Sequence, residues 1–229
     1  KIGETWYRLE NEKSGTSLTG YAVPMETGKI NLNFKGKCGN PTWLIVKGMG
    51  KYENCYFDVM NKDTELPVGN YTLYCGEVRK GKKAQVMKTL ILPPKDPDPW
   101  VVTAGGTTNV PLGAPFGFDF KFDEDGKNIS VLGKTVVITG LAGERYERPW
   151  NCVPKPTASW RKKGEKRGSK AEKFKKVQSQ DEINAGGWGT AWFPVDLEIV
   201  KKGASDGSEV QLAEKKNKLF GKIESAWRE

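Results

Sequence analysis

Apolar and polar residues alternate with a period of two along much of the chain. Ile30, Leu32 and Phe34 alternate with polar residues, and the phenylalanines from Phe116 to Phe122 alternate in the same way. This period is typical of half-buried β-strands. Several such runs follow at spacings of 8–15 residues, with Gly or Pro between them. The pattern predicts a mainly β protein of the sandwich or barrel type.

A proline-rich segment interrupts the alternation near the middle of the chain. Residues 93–99 contain four prolines. Proline fixes φ and restrains the residue before it, so an extended, semi-rigid spacer is expected. The chain of 229 residues is also long enough for two small domains. We therefore predict one β-sandwich domain over residues 1–94 and a second over residues 95–229.

The C-terminal region has a different pattern. Leu219, Phe220, Ile223 and Trp227 follow the spacing of one apolar helix face, and Ser208 is a possible N-cap. The region from Gly207 to Trp227 is therefore predicted to contain a short helix. The alternative is a last strand over Glu209–Ala213 followed by a shorter helix.

Two short motifs resemble the bacterial immunoglobulin-like and carboxypeptidase-regulatory-like (prealbumin-type) sandwich domains. Residues Leu66–Leu73 resemble their "LPxGxYxL" strand entry, and Val110–Phe116 is similar to the start of other secreted immunoglobulin-like modules. The resemblance implies that Tyr71 and Leu73 face a sandwich core. It also implies an exported protein, and it implies no active site.

Positive charge is concentrated in one segment. Residues 155–176 hold ten basic and two acidic residues, which is +8 of the formal +9 of the chain. Clustered Lys and Arg favour an anionic polymer or an acidic protein surface, with a polysaccharide as one possible polymer. Nucleic acid is a weaker expectation because its usual motifs are missing. The alternative is a solvated lysine-rich loop. The polyanion-binding candidates within this predicted insertion are Arg161, Lys162, Lys163, Lys166, Arg167, Lys170, Lys173, Lys175 and Lys176.

Four tryptophans cluster in the second half of the chain beside Gly and Pro. Exposed aromatic rings stack on sugar rings, so these side chains predict a carbohydrate-binding face as an alternative function. Packing across the sheet is the competing interpretation. The candidates are Trp150, Trp160, Trp188 and Trp192.

The sequence gives no pattern that is typical of a catalytic site. The chain has no His, which removes the commonest general base and metal ligand. Asp119, Asp123, Glu124 and Asp125 lie on a predicted strand and turn where solvation is expected. Glu144 and Glu147 are interpreted as members of surface ion pairs. We therefore expect a protein that is not an enzyme and needs no metal or cofactor.

Cysteine usage and apolar runs bear on the compartment. Cys38, Cys55, Cys75 and Cys152 form no C-x-x-C pair, and no apolar run reaches the length of a membrane span. If one disulfide forms, Cys55 with Cys75 is favoured, and buried free thiols are the alternative. Together with the resemblance, these features predict a non-enzymatic, exported structural or adhesion-type protein at an extracytoplasmic location. A cytosolic polyanion or nucleic-acid binder is the remaining alternative.

Overall fold

The computed structural model describes residues 1–174, 196–201 and 207–229. These residues form a mainly β protein, as the alternation predicts, with two single-turn 3₁₀ helices at Gly50–Tyr52 and Lys83–Gln85. The strands are β1 (Trp6–Asn11), β2 (Leu18–Val23), β3 (Thr27–Lys35), β4 (Trp43–Gly48), β5 (Tyr56–Asp58), β6 (Thr64–Pro67), β7 (Gly69–Lys80), β8 (Met87–Leu92), β9 (Trp100–Val102), β10 (Thr107–Gly113), β11 (Gly117–Asp125), β12 (Asn128–Thr139), β13 (Arg145–Trp150), β14 (Thr157–Lys162), β15 (Glu172–Lys173), β16 (Leu197–Val200), β17 (Ser208–Asn217) and β18 (Gly221–Glu224).

The strands are arranged in several sheets. The largest has the order β11-β12-β13-β8-β7-β4-β5, with β16 added beside β12 and β9 beside β7. Two smaller sheets have the orders β10-β3-β6 and β15-β14-β17-β18, and β1 and β2 form a separate pair. Nearly all pairs are antiparallel, but β10 runs parallel to β3. This architecture is consistent with a β-sandwich.

One apolar core joins the three larger sheets. Leu44 and Val46 of β4 are fully buried, whereas the alternate residues Ile45 and Lys47 are half-buried, so one face of the largest sheet points inward. The same core cluster contains Ile30 of β3 and residues of the sheet around β17. Burial of each large apolar side chain contributes roughly 1.5–3 kcal/mol, which makes this cluster the main source of stability.

The "LPxGxYxL" motif forms a buried corner. Leu66, Tyr71 and Leu73 have exposed fractions of 2% or less, so the orientation that the resemblance implies for Tyr71 and Leu73 is confirmed. The Tyr71 hydroxyl donates a hydrogen bond of 2.7 Å to the carbonyl oxygen of Pro67. This bond fixes the turn that leads from β6 into β7 and supplies the buried phenol with an acceptor.

Strands from both sides of the proline-rich segment pair within the largest sheet. Ile91 and Leu92 of β8 pair with Tyr146 and Arg145 of β13, and β10 pairs with β3. The predicted division into domains 1–94 and 95–229 is therefore not confirmed. Hydrogen bonds and a shared core join the strands that flank the proline-rich segment.

The predicted C-terminal helix is wrong, because β17 and β18 form a hairpin over this region. Val210, Leu212 and Ile223 are buried with a period of two along these strands. Leu219 and Phe220 are buried in the turn, where their backbone N–H groups donate to the side-chain oxygen of Asn217. The apparent helical spacing therefore arises because Leu219 and Phe220 lie in the turn and Ile223 lies in β18. The alternative strand over Glu209–Ala213 is part of β17.

Candidate binding surface

The first part of the lysine-rich segment is a strand rather than an inserted loop. β14 lies between β15 and β17, and Ala158 is fully buried while Trp160 packs against the core. Two hydrogen bonds fold the following loop back onto β14: the Ser169 N–H donates to the Trp160 carbonyl at 2.7 Å, and the Trp160 N–H donates to Ser169 Oγ at 3.1 Å. Residues 157–173 are called the basic hairpin below.

Arg161 is held inside the basic hairpin. Its Nε donates to Glu209 Oε2 at 2.6 Å, and its guanidinium lies 4.3 Å from the centroid of the Trp227 ring. The same ring approaches Gly168, where a Cβ atom would lie 2.5 Å from Trp227 Cη2. Trp227 therefore contacts both β14 and the loop that follows it. Arg161 is therefore paired with a carboxylate in the free protein, unlike the exposed cations described next.

The remaining candidate cations of the basic hairpin project into solvent. Lys163 donates to Glu229 Oε2 at 2.7 Å, and this bond raises the pKa of the Lys163 amino group. Five cations are exposed and have no ion-pair partner within residues 1–174, 196–201 and 207–229. They are Lys162, Lys166, Arg167, Lys170 and Lys173. Lys175 and Lys176 lie outside the described residues.

The four candidate tryptophans do not form one described surface. Trp150 is 54% exposed at the end of β13, in register with Lys88 of β8. Trp160 is half-buried and packs against the core, which fits the competing interpretation of its role. Trp188 and Trp192 lie outside the described residues. Of the two candidates that the structure describes, only Trp150 is exposed.

A cleft of about 450 Å³ adjoins the basic hairpin. Arg228 forms one wall: its guanidinium lies 5.3 Å from the centroid of the Phe120 ring and pairs with Asp119. The neighbouring Glu229 belongs both to the cleft and to the ion pair with Lys163. The lining residues are Phe120, Lys121, Phe122, Asp123, Leu132, Arg228 and Glu229. The Asp119 and Arg228 contact has no signal in the sequence because 109 residues separate the two side chains.

Glu124 is part of a buried ionic cluster, not a solvated turn. It pairs with Lys201, whose side chain is fully buried, and accepts hydrogen bonds from the Ser208 hydroxyl at 2.5 Å and the Ser208 N–H at 3.1 Å. Burial by itself raises the pKa of Glu124, but the bonds from Lys201 and Ser208 outweigh it and lower the pKa to about 2. The cluster joins the end of β11 to the start of β17.

Glu144 is likewise buried rather than paired at the surface. Its carboxylate accepts the Gly113 N–H at 2.6 Å, the Ala142 N–H at 2.9 Å and the Tyr146 hydroxyl at 2.7 Å. Burial is the main influence and raises the pKa of Glu144. Glu147, in contrast, forms the expected ion pair with Arg145 at 2.9 Å. Glu144 therefore supports the turns around Gly113 and Ala142.

All four cysteines are free thiols in the structure, in contrast to the favoured disulfide. Cys55 lies beside Gly48 on one side of β4, and Cys75 pairs with Ile45 on the other side. Strand β4 therefore lies between the two cysteines. Burial raises the pKa of the Cys152 thiol to about 12. Among the described residues, no cluster of three or more Cys, Asp or Glu side chains could hold a metal ion. Nor does this part of the chain contain a helix that is long and apolar enough to cross a bilayer.

Comparison of the chain with protein-family models, with curated proteins and with solved structures finds no match.

Proposed function

We propose that this is a non-enzymatic, exported structural or adhesion-type protein that binds an anionic partner through the basic hairpin. The observation that supports the proposal is a set of five exposed cations on the basic hairpin, none of which has an ion-pair partner among the described residues. Hydrogen bonds and Trp227 hold the loop of this hairpin against β14. Within residues 157–173 the sequence has two carboxylates, Glu165 and Glu172.

The partner is an acidic polymer or an acidic protein surface. An anchored loop loses less conformational entropy on binding than a free one, so its charges contribute more of their Coulomb energy to affinity. Lys and Arg that neutralise a polyanion also release its counterions, and binding then weakens steeply with salt. Both arguments concern Lys162, Lys166, Arg167, Lys170 and Lys173 and leave out Arg161.

Retention on immobilised heparin tests the proposal. The variant Lys166→Ser/Arg167→Ser/Lys170→Ser removes three cations from the basic hairpin. The control Lys13→Ser/Lys62→Ser/Lys95→Ser removes three exposed cations from other surfaces, so both proteins have the same net charge. We expect the hairpin variant to elute at clearly lower salt than the wild-type protein and the control. An equal shift for both variants would show that only the overall charge matters.

The same proteins distinguish the remaining alternatives. A cytosolic nucleic-acid binder would prefer single-stranded or duplex nucleic acid over heparin at equal salt, with the same dependence on the hairpin cations. Export is tested by sequencing the gene and asking whether it encodes a signal peptide. The absence of both a signal peptide and a preference for acidic polysaccharide or protein would contradict the exported form of the proposal.

A further inference from the structure

Two exposed tyrosines meet on the outer face of the largest sheet. Tyr56 of β5 and Tyr74 of β7 are each 49% exposed, and their ring centroids lie 4.8 Å apart with an interplanar angle of 65°. β4 lies between their strands, so the rings meet above it. Ile45 of β4 pairs with Cys75 of β7, and the next residue, Val46, pairs with Leu73. This register shift leaves Tyr74 without a residue opposite it on β4. Such bulges redirect a side chain and often occur at functional sites.

Polar side chains surround these rings. Lys47 of β4 is in register with Tyr56 on one side and with Thr72 on the other, so all three side chains lie on the outer face. Asp58, two residues after Tyr56, projects from the same face. The Thr72 hydroxyl oxygen is buried and has no hydrogen-bond partner among the described residues. An unpaired buried hydroxyl is costly, and a ligand can satisfy it when the side chains that cover it shift on binding.

We propose that Tyr56, Tyr74, Lys47 and Thr72 form a binding site for a neutral saccharide, separate from the basic hairpin. The tyrosines offer an apolar ring surface with a polar tip, which matches the mixed apolar and hydroxyl character of a sugar ring. Lys47 supplies donors, Asp58 supplies acceptors and Thr72 supplies both, which is the set that hydroxyl groups require.

The charge at this site argues for a neutral ligand. Around the rings, Lys47 is balanced by Asp58, so a phosphate-bearing polymer gains no net attraction here. The platform consists of two side chains and is much smaller than the roughly 800 Å² per partner that a stable protein interface buries. A sugar unit fits both constraints, whereas a polynucleotide and a protein surface do not.

Affinity electrophoresis of the full chain tests the site. The protein is run toward the cathode in native gels that contain laminarin, xyloglucan, galactomannan or dextran, all of which are neutral. At least one of these polysaccharides should retard the wild-type protein. Tyr56→Ala and Tyr74→Ala should weaken that affinity by about tenfold or more. Tyr21→Ala removes a tyrosine of similar exposure, 48%, from β2 and should change nothing.

Thr72→Val tests the hydroxyl without changing side-chain shape. It should leave the melting temperature unchanged or slightly higher, because the lost hydroxyl has no partner in the free protein, and it should weaken the retardation. The variant Lys166→Ser/Arg167→Ser/Lys170→Ser should be retarded like the wild-type protein, which separates this site from the proposed anion binding. Absence of retardation by all four polysaccharides, or equal retardation of Tyr56→Ala and wild-type protein, would overturn the proposal.

Discussion

Three carboxylates illustrate how the fold uses buried charge at the scale of single residues. Glu124, Glu144 and Glu214 each accept at least two hydrogen bonds, and in each case at least one donor is distant in sequence. The outcome differs among them, because Glu124 is paired with the Lys201 ammonium and its pKa falls, whereas burial raises the pKa of Glu144 and of Glu214. A neighbouring cation therefore decides the sign of the shift.

The lowered pKa of Glu124 makes stability depend on pH. Its folded pKa of about 2 lies below the ordinary value of 4.5, so the ion pair stabilises the fold fully above pH 4.5. That contribution, about 3 kcal/mol, is lost as the pH falls from 4.5 to about 2. Urea unfolding at pH 6 and pH 3 should show about 2 kcal/mol of this loss in the wild-type protein, because pH 3 still lies above the folded pKa.

The variant Glu124→Gln should be less stable than the wild-type protein at pH 6 and should show a smaller decrease on acidification. Glu147→Gln is the matched control, because it removes a carboxylate from the surface pair with Arg145. Its effect should stay below about 1 kcal/mol. A pH dependence that Glu124→Gln leaves unchanged would contradict the stabilising role of the ion pair.

At the scale of elements, Trp227 stabilises the conformation of the basic hairpin. The ring contacts both Arg161 and Gly168, so Trp227→Ala removes one of the contacts that join the loop to β14. We expect a loss of about 2 kcal/mol in the free energy of unfolding and faster amide exchange over residues 163–170. Trp150→Ala, at a more exposed tryptophan, should cost less than about 1 kcal/mol. Unchanged exchange in Trp227→Ala would show that the loop is held by other contacts.

The elements that the sequence predicts correctly are those in which the period of two is long. The runs around Ile30 and Phe118 are strands β3 and β11, with their apolar side chains facing the core. The hairpin of β17 and β18 could not be predicted because turn residues Leu219 and Phe220 create a helical spacing. β14 was hidden by its charges, since Arg161 and Lys162 gave the strand the composition of a loop.

At the scale of the whole molecule, pairing across the proline-rich segment joins the two halves of the chain. A fragment of residues 1–95 would leave β8 without β13 and β3 without β10, and would expose the apolar core that they cover. We therefore expect that neither this fragment nor residues 96–229 unfolds cooperatively when expressed alone, whereas the full chain does. Calorimetry of the three proteins measures this. Cooperative transitions in both fragments would show that the two halves are separate domains.

Long-range pairing also explains what the sequence could not predict about the candidate sites. The excess of charge over residues 155–176 identified the basic hairpin, but only the structure separates Arg161, which packs on Trp227, from the exposed cations. The Tyr56 and Tyr74 platform arises from two strands that are joined through a third. No local pattern records such a meeting, because it depends on strand order and on a register shift.

The salt dependence of anion binding tests the central claim, that the basic hairpin is the binding surface. The affinity for fluorescent heparin is measured over a series of salt concentrations for the wild-type protein, for Lys166→Ser/Arg167→Ser/Lys170→Ser and for Lys13→Ser/Lys62→Ser/Lys95→Ser. Each cation that contacts the polymer contributes roughly 0.7–0.9 to the slope of log affinity against log salt. We predict that the hairpin variant loses about 2 to 3 units of slope and that the control keeps the wild-type slope. Equal slopes for the hairpin variant and the wild-type protein would contradict the account.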